Sequence, residues 1–350
     1  MHDNQPPVPY GPQPPIGPQP SYGPQPPYGA QYQPGPYPQG QYGMQPAKQP
    51  WFLPAPRGTG YDHLARNPLN AWWRQVVGTL VVALAFFGMA FFVVLAGMIV
   101  AGIIGMPMPL TGQQLFGDPV FGLAVTLLSI AAVLPIVFGV AALFQRRPPG
   151  TLSSVVGRIR WGWLAQCAGI GVVALLLGQG ALWVAYVLTG EDTSELLGWK
   201  GWATFLPALV VIVLLVPFQA AAEEYVFRGW LLQAFGAYIR SPWPGIVLGS
   251  AGFAALHAYT DWGILDVFSF GVLMGWLAVK TGGLEAAIAM HVVNNTLAFG
   301  LSAAAGDLDE AMQQGAVPWQ SLVGTAVQLS VFAVGVLWLA RKRAISTVSP

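Results

Sequence analysis

Residues 221–230 read AAEEYVFRGW, with the apolar run VIVLLVPF at 211–218 before them and WLLQAF at 230–235 completing them. Two adjacent carboxylates and an arginine sit in the middle of a segment that otherwise belongs in hydrocarbon. An ionisable side chain there costs several kcal/mol or more, so it is a functional candidate by default. On a helix Glu224 and Arg228 are four apart and share a face, which favours an ion pair. Glu223 points about 100° away and is left out of that pair. One paired and one unpaired carboxylate side by side suit acid/base chemistry; they equally suit a staple between two helices.

Composition sets the class. Of 350 residues 54% are hydrophobic and 8% charged, against roughly 25% charged in soluble domains. Several apolar runs reach the ~20 residues that cross a bilayer. The chain reads as all-α, a polytopic membrane helix bundle. A net charge of +1 gives no footprint for nucleic acid, and one cysteine, Cys167, gives neither a disulfide frame nor a thiolate zinc site. No cleavable signal peptide is expected, because the first apolar run begins late and is too long for one.

Residues 1–58 are low-complexity Pro, Gln, Gly and Tyr with units such as YGPQPP. They bury almost nothing, so a disordered tail with polyproline II character is expected; it could dock a partner. Residues 59–75, with Trp72, Trp73 and Arg74, read as an interfacial segment. A bundle follows over 76–343, in about eight transmembrane helices. Their apolar runs are Val76–Ile104, Val120–Phe144, Trp161–Leu188, the run from Trp202, a short one at Gly245–Ala258, then Ile264–Val279, Gly283–Leu301 and Trp319–Ala340.

Loop charges alternate along this list. Arg57, Arg66, Arg74, Arg146, Arg147, Arg158, Arg160, Arg240, Lys280, Arg341, Lys342 and Arg343 fall on every second side. Asp118, Glu191, Asp192, Glu195, Asp261, Asp307, Asp309 and Glu310 fall on the other, beside one Lys200. By the positive-inside rule both termini are cytoplasmic. A bacterial plasma membrane is the expected location.

The spans hold further polar residues. His257 ends FAALH in the fifth, while His291 and Asn295 lie four apart on one face of the seventh. Lipid cannot solvate such groups apart, so one shared polar site is expected. A carboxylate and an imidazole can hold and deprotonate a water; a second imidazole and an amide can donate to an oxyanion. Alternatively Glu223, His257 and His291 could hold zinc with water in an open position. The residue types fit both. No His-Glu-x-x-His occurs, and Ser250 is two turns from His257, so helical-motif zinc proteases and serine hydrolases are disfavoured.

Three motifs occur in order: Glu-Glu-x-x-x-Arg at Glu223, Glu224 and Arg228; Phe-x-x-x-His at Phe253 and His257; His-x-x-x-Asn at His291 and Asn295. Over about 200–300 the chain resembles the CPBP intramembrane proteases, the type II CAAX prenyl endopeptidases and their bacterial relatives, also called the abortive-infection family. The resemblance implies an intramembrane endopeptidase with Glu223 as general base, His257 helping to hold the water, and His291 with Asn295 as oxyanion site. Glu224 and Arg228 would support Glu223, and Phe253 would pack one turn before His257. No cofactor is then expected, zinc being the alternative. Partners would be lipid and a membrane-associated peptide or protein substrate. A non-enzymatic scaffold or bacteriocin self-immunity protein is the competing expectation, with a proton-coupled transporter behind it. One difficulty stands: counted from Trp202, Glu223 falls near the cytoplasmic face while His257 lies far from it. A break at Pro217 or a long, tilted helix is expected to reconcile them, with a cavity opening to the cytoplasmic half.

Overall fold

The computed structural model describes residues 50–107, 109, 114–191, 193 and 198–350. The expected disordered tail lies outside the described residues up to 49, as do Asp192 and Glu195 of one acidic loop. Residues 50–58, assigned by composition to the tail, lie against the bundle. The Trp51 indole donates to Ala142 O, the Arg146 guanidinium covers that indole, and Gly58 N donates to Ser349 O.

The described chain is a helical membrane bundle. Helix α1 spans Trp72–Ile103; α2 (Pro119–Ala131) and α3 (Leu134–Leu143) form one span; α4 covers Trp161–Thr189 and α5 Trp202–Glu224. The α2–α3 break precedes Pro135, which has no N–H to give to the preceding turn. Asp118 caps α2 by accepting from Phe121 N at 2.7 Å, with Pro119 at the first helical position. After α5 the helix continues as a π-helical stretch, Tyr225–Leu231, and then α6, Leu232–Gly236. Next come α7 (Trp243–Ala255), β1 (Tyr259–Asp261), α8 (Trp262–Thr281), α9 (Glu285–Ala305), α10 (Leu308–Gln313), β2 (Gly315–Val317) and α11 (Ser321–Lys342).

Among the described residues seven helices are long and apolar enough to cross a membrane, one fewer than the sequence suggested. The eighth is α7, which has 13 residues. It nevertheless links the two ends of the bundle, because β1 adds the missing rise, so the alternation of basic and acidic loops survives. β1 pairs in parallel with β2, Tyr259 opposite Gly315, an element the helical periodicity does not foretell.

The two ends are knit separately. At the basic end Ser349 N donates to Thr59 O and Arg160 Nη1 to Ser346 O. Gly282, at φ +70°, closes α8 so near the C-terminal segment that a Cβ would lie 2.6 Å from Ser346 O. At the acidic end Ala258 N donates to Gln314 Oε1, Lys200 N to Ala304 O, and Gln320 Nε2 to Glu191 Oε1.

Segment 59–75 divides in two. Trp72 and Trp73 are exposed, as an interfacial pair should be, whereas Tyr61, Leu64 and Ala65 are buried in the protein core. Tyr61 Oη donates to Leu152 O at 2.6 Å and locks this segment over the loop before α4.

Candidate active site

The motif helix answers the depth problem without a break. Pro207 and Pro217 both lie inside α5, which runs through them unbroken. The span does not stop near Glu224 but continues to Gly236, 35 residues in all. Glu223 is therefore about 20 Å above the basic end at a 1.5 Å rise per residue. His257, past the end of α7, stands about as far above Trp243 by the same measure. The two side chains reach one level because the helix is long.

The π-helical stretch begins directly after Glu224 and packs against α1, where Trp230 fills the space over Gly78 and donates to Thr79 Oγ1 at 3.1 Å. Such widened turns recur at functional sites. Here it carries Arg228 beneath the two glutamates.

Arg228 Nη1 donates to Glu224 Oε1 at 3.0 Å, the pair expected from their spacing. The same Oε1 accepts from His291 Nδ1 at 2.8 Å. Both residues of the ion pair and His291 are buried. Two charge-assisted donors on one carboxylate oxygen fix the imidazole plane and its tautomer. His291 Nε2 then faces Glu223 Oε2 at 3.3 Å, out of line for a hydrogen bond. Glu223 is thus not isolated: the two glutamates grip opposite nitrogens of one ring.

His257 is held differently. Its Nδ1 is 2.8 Å from Phe253 O, one turn back on its own helix, which leaves Nε2 free. The Glu223 charge acts on this ring across the gap. Phe253 does more than precede His257. Its ring centre is 4.5 Å from His257, 5.8 Å from His291 at a right angle, and 4.2 Å from the Arg228 guanidinium carbon. Phe270 of α8 closes the far side, 5.5 Å from the His291 ring. The aromatic hub keeps both imidazoles turned to one centre and excludes water from the Arg228 side.

Asn295 does not bond to His291. Its Nδ2 donates to Gln219 Oε1 at 3.1 Å, one turn outward of Glu223. Gln219 escaped the sequence reading, although a buried amide four residues before Glu223 on the same face was a readable signal. Asp266 was also missed: it lies in α8 near Ser321 and Thr325 of α11 and within electrostatic reach of Tyr259. Ser250 is spent on structure. Its Oγ donates to Ile246 O at 2.7 Å, and Gly271 presses so close that a Cβ there would lie 2.9 Å from Ser250 Cβ and Arg228 Nη2.

For zinc the donors fit poorly. Among the described residues no three His, Cys, Asp or Glu side chains come together as a metal-holding group. His291 turns Nε2 to Glu223 rather than to a centre shared with His257, so no step below is routed through a metal.

Burial is uneven around the cluster. On the basic side of the cluster every residue from Thr281 to His291 is buried, as are Arg147, Leu152, Ser153, Ser154, Trp230 and Gln233. On the acidic side His257, Tyr259, Asp266, Phe270, Asn294 and Asn295 are half-exposed.

Comparison with known proteins converges on this region. Residues 202–297 match the family model for type II CAAX prenyl endopeptidase Rce1-like proteins. That range runs from the start of α5 into α9 and contains every site residue named above. The chain is also 24% identical over 190 residues to the uncharacterized protein YyaK of Bacillus subtilis (strain 168), an alignment covering 52% of this chain and 62% of that protein. No solved structure matches significantly. The resemblance read from three short motifs holds: residues 202–297 of this multi-pass membrane protein match the type II CAAX prenyl endopeptidase Rce1-like family model.

Proposed function

We propose that this protein is an intramembrane endopeptidase that hydrolyses a peptide bond of a membrane-associated protein or peptide with water activated by Glu223. The observation that carries the reading is the grip of Glu223 and Glu224 on opposite nitrogens of His291. With Nδ1–H donated to Glu224, a neutral ring would present a lone pair from Nε2 to a carboxylate lone pair. That contact needs one proton, on either atom. With it, Glu223, Glu224, Arg228 and His291 sum to zero charge, the arrangement a low-dielectric site favours.

The reaction follows from these positions. Water lies between Glu223 and the free Nε2 of His257. Its oxygen attacks the carbonyl carbon while its proton passes to Glu223. The developing oxyanion accepts from Nε2–H of His291 and from the Asn295 amide, which turns from Gln219. Collapse breaks the C–N bond, and the departing amine takes the proton from Glu223. Glu224 and Arg228 act by fixing His291.

On this reading the partners are lipid and a peptide or membrane-protein substrate, with no nucleic acid and no metal required. The basic loops face the cytoplasm of a bacterial cell, and the Pro-rich N-terminal sequence is a docking segment for a partner. The test is cleavage of a membrane peptide by purified protein in liposomes. Glu223→Gln should abolish cleavage with the fold intact, and chelators should leave the wild type active. Full cleavage by Glu223→Gln sinks the base assignment; chelator-sensitive cleavage restored by zinc sinks the metal-free mechanism. A cellular phenotype that survives Glu223→Gln favours the scaffold or immunity reading.

A further inference from the structure

We infer that two copies of this protein associate through the lipid-facing side of α4, where Gln179 of each copy bonds its counterpart in the other. The inference goes beyond the proposed reaction and does not depend on it.

It starts from one polar side chain in an apolar place. α4 packs on α9 and α11, with Gly171 facing Met290 and Gly178 facing Gln328. Its opposite side is exposed, with Ala165, Gly169, Val172, Leu176, Gln179 and Trp183 along it. Among the described residues Gln179 is the only carboxamide that a membrane-long helix exposes, and no hydrogen bond satisfies it. It lies about 27 Å from the start of α4 and about 15 Å from its end at a 1.5 Å rise per residue. Helical side chains lean toward the N-terminus, so this amide leans back toward the middle of the bilayer and away from the nearer head groups. Hydrocarbon there offers it neither a donor nor an acceptor.

The rest of the bundle shows how its amides are satisfied. Asn295 donates to Gln219 at 3.1 Å and Gln328 to Asn294 at 3.1 Å, each pair tying two helices together. A second copy extends the same solution to Gln179. Copies inserted the same way lie parallel, so a two-fold axis along the membrane normal brings Gln179 to Gln179 at equal depth. One carboxamide both donates and accepts, so the pair satisfies itself. A lipid chain supplies neither group.

The surroundings carry a matching repeat. Ala165, Val172, Gln179 and Tyr186 recur at steps of seven, with Gly169, Leu176 and Trp183 on the adjoining row. A seven-residue step keeps one seam against a partner helix through a left-handed crossing, and a single polar residue within it fixes the register. Gly169 and Gly180 front open space, so a second backbone can come close. Toward the acidic end the seam borders an apolar groove of about 720 Å³ between α4 and the start of α11, lined by Leu176, Gly180, Trp183, Val184, Trp319 and Val323. The groove gives the side chains of an apposed helix somewhere to pack.

The experiment is oxidative cross-linking of the full chain in native membranes. Cys167 is the only cysteine and is buried, so Cys167→Ala gives a thiol-free background. In that background Val172→Cys lies one step of seven before Gln179 and leaves the amide in place. Leu84→Cys, exposed at a similar depth on α1, is the control. With copper phenanthroline Val172→Cys should run as a covalent dimer of this chain and Leu84→Cys as a monomer. Adding Gln179→Leu to Val172→Cys should weaken association about 3- to 30-fold, read as the protein-to-lipid ratio at half-maximal cross-linking. Adding Gln179→Asn instead should keep most of it. Monomer from both cysteine variants leaves the face to lipid and overturns the inference. A cross-linked product of another mass assigns the face to a different protein and overturns it too, as does a dimer indifferent to Gln179→Leu. No cleavage is measured, so failure here leaves the proposed reaction standing.

Discussion

Two fully buried arginines of this bundle are held in opposite ways. Arg228 lies against the Glu224 carboxylate and the face of Phe253. Arg147, in the loop after α3, is surrounded by neutral groups. Its Nε donates to Gln145 Oε1 and its Nη1 to Gln233 Oε1 and, at 2.9 Å, to Thr151 Oγ1, while Nη2 finds no hydrogen-bond partner. Burial pulls the Arg147 guanidinium down to about 10. One arginine is balanced by a carboxylate that also orients the His291 ring. The other is solvated by amides and a hydroxyl, and it fills the layer that closes the basic end. The first kind of burial stores charge where chemistry needs it; the second makes a wall.

The largest expected effect breaks the first region at its reactive group. Glu223→Gln should lower kcat by about 10²–10⁴, the usual share of a general base, with KM and thermal stability nearly unchanged. Steady-state cleavage in liposomes and a melting curve check both halves of the statement.

Next comes Glu224→Gln, which leaves Arg228 buried without its counter-charge. Cutting such a pair should destabilise by about 3–5 kcal/mol. The double variant Glu224→Gln/Arg228→Met should recover much of that stability and none of the activity, because His291 still lacks its fixed tautomer. Recovery of activity would show that Glu224 is a staple and nothing more.

Arg147→Met should cost less, about 1–3 kcal/mol for the orphaned amide and hydroxyl partners. Part of that is offset. A cation whose folded value is depressed from the ordinary arginine range to about 10 opposes folding at every pH below about 10, and substitution relieves the opposition. By the same sign, wild-type stability should gain from this group as pH rises above about 10. Cleavage kinetics should not change; a fall in kcat would connect the wall to the site.

The smallest effect is expected for Ser250→Ala. Its hydroxyl returns to its own helix backbone, so loss should cost under about 1 kcal/mol and leave cleavage untouched.

Much of this was legible in sequence because hydrocarbon makes polar residues conspicuous. Glu223, Glu224, Arg228, His257, His291 and Asn295 stand out against apolar runs, and three spans had to bring them together. The Glu224–Arg228 pair followed from helical spacing alone. What stayed hidden depends on contacts between distant segments or on a departure from 3.6 residues per turn. His291 could not be placed between the glutamates, because that needs the rotation of α9 against α5. Phe253 looked like one packing residue among many. Gln219 and Asp266 were readable as polar residues inside spans yet carried no motif. The depth of Glu223 was left open because it was counted from Trp202 alone; the far end of the helix, Gly236, settles the count.

The widened turn at Tyr225–Leu231 has a consequence for how such a chain can change. A π-helical stretch is in effect an α-helix with a residue to spare. Deleting one residue there would let the helix rewind to its ordinary pitch with little rotation of what comes before against what comes after, because the widened turn already absorbs the spare residue. The same deletion in the regular turns of α5 would instead swing the two flanking halves by about 100°. Loss of one codon should therefore disturb the packing of the carboxylates less in this heptapeptide than in the α-helical turns that precede it.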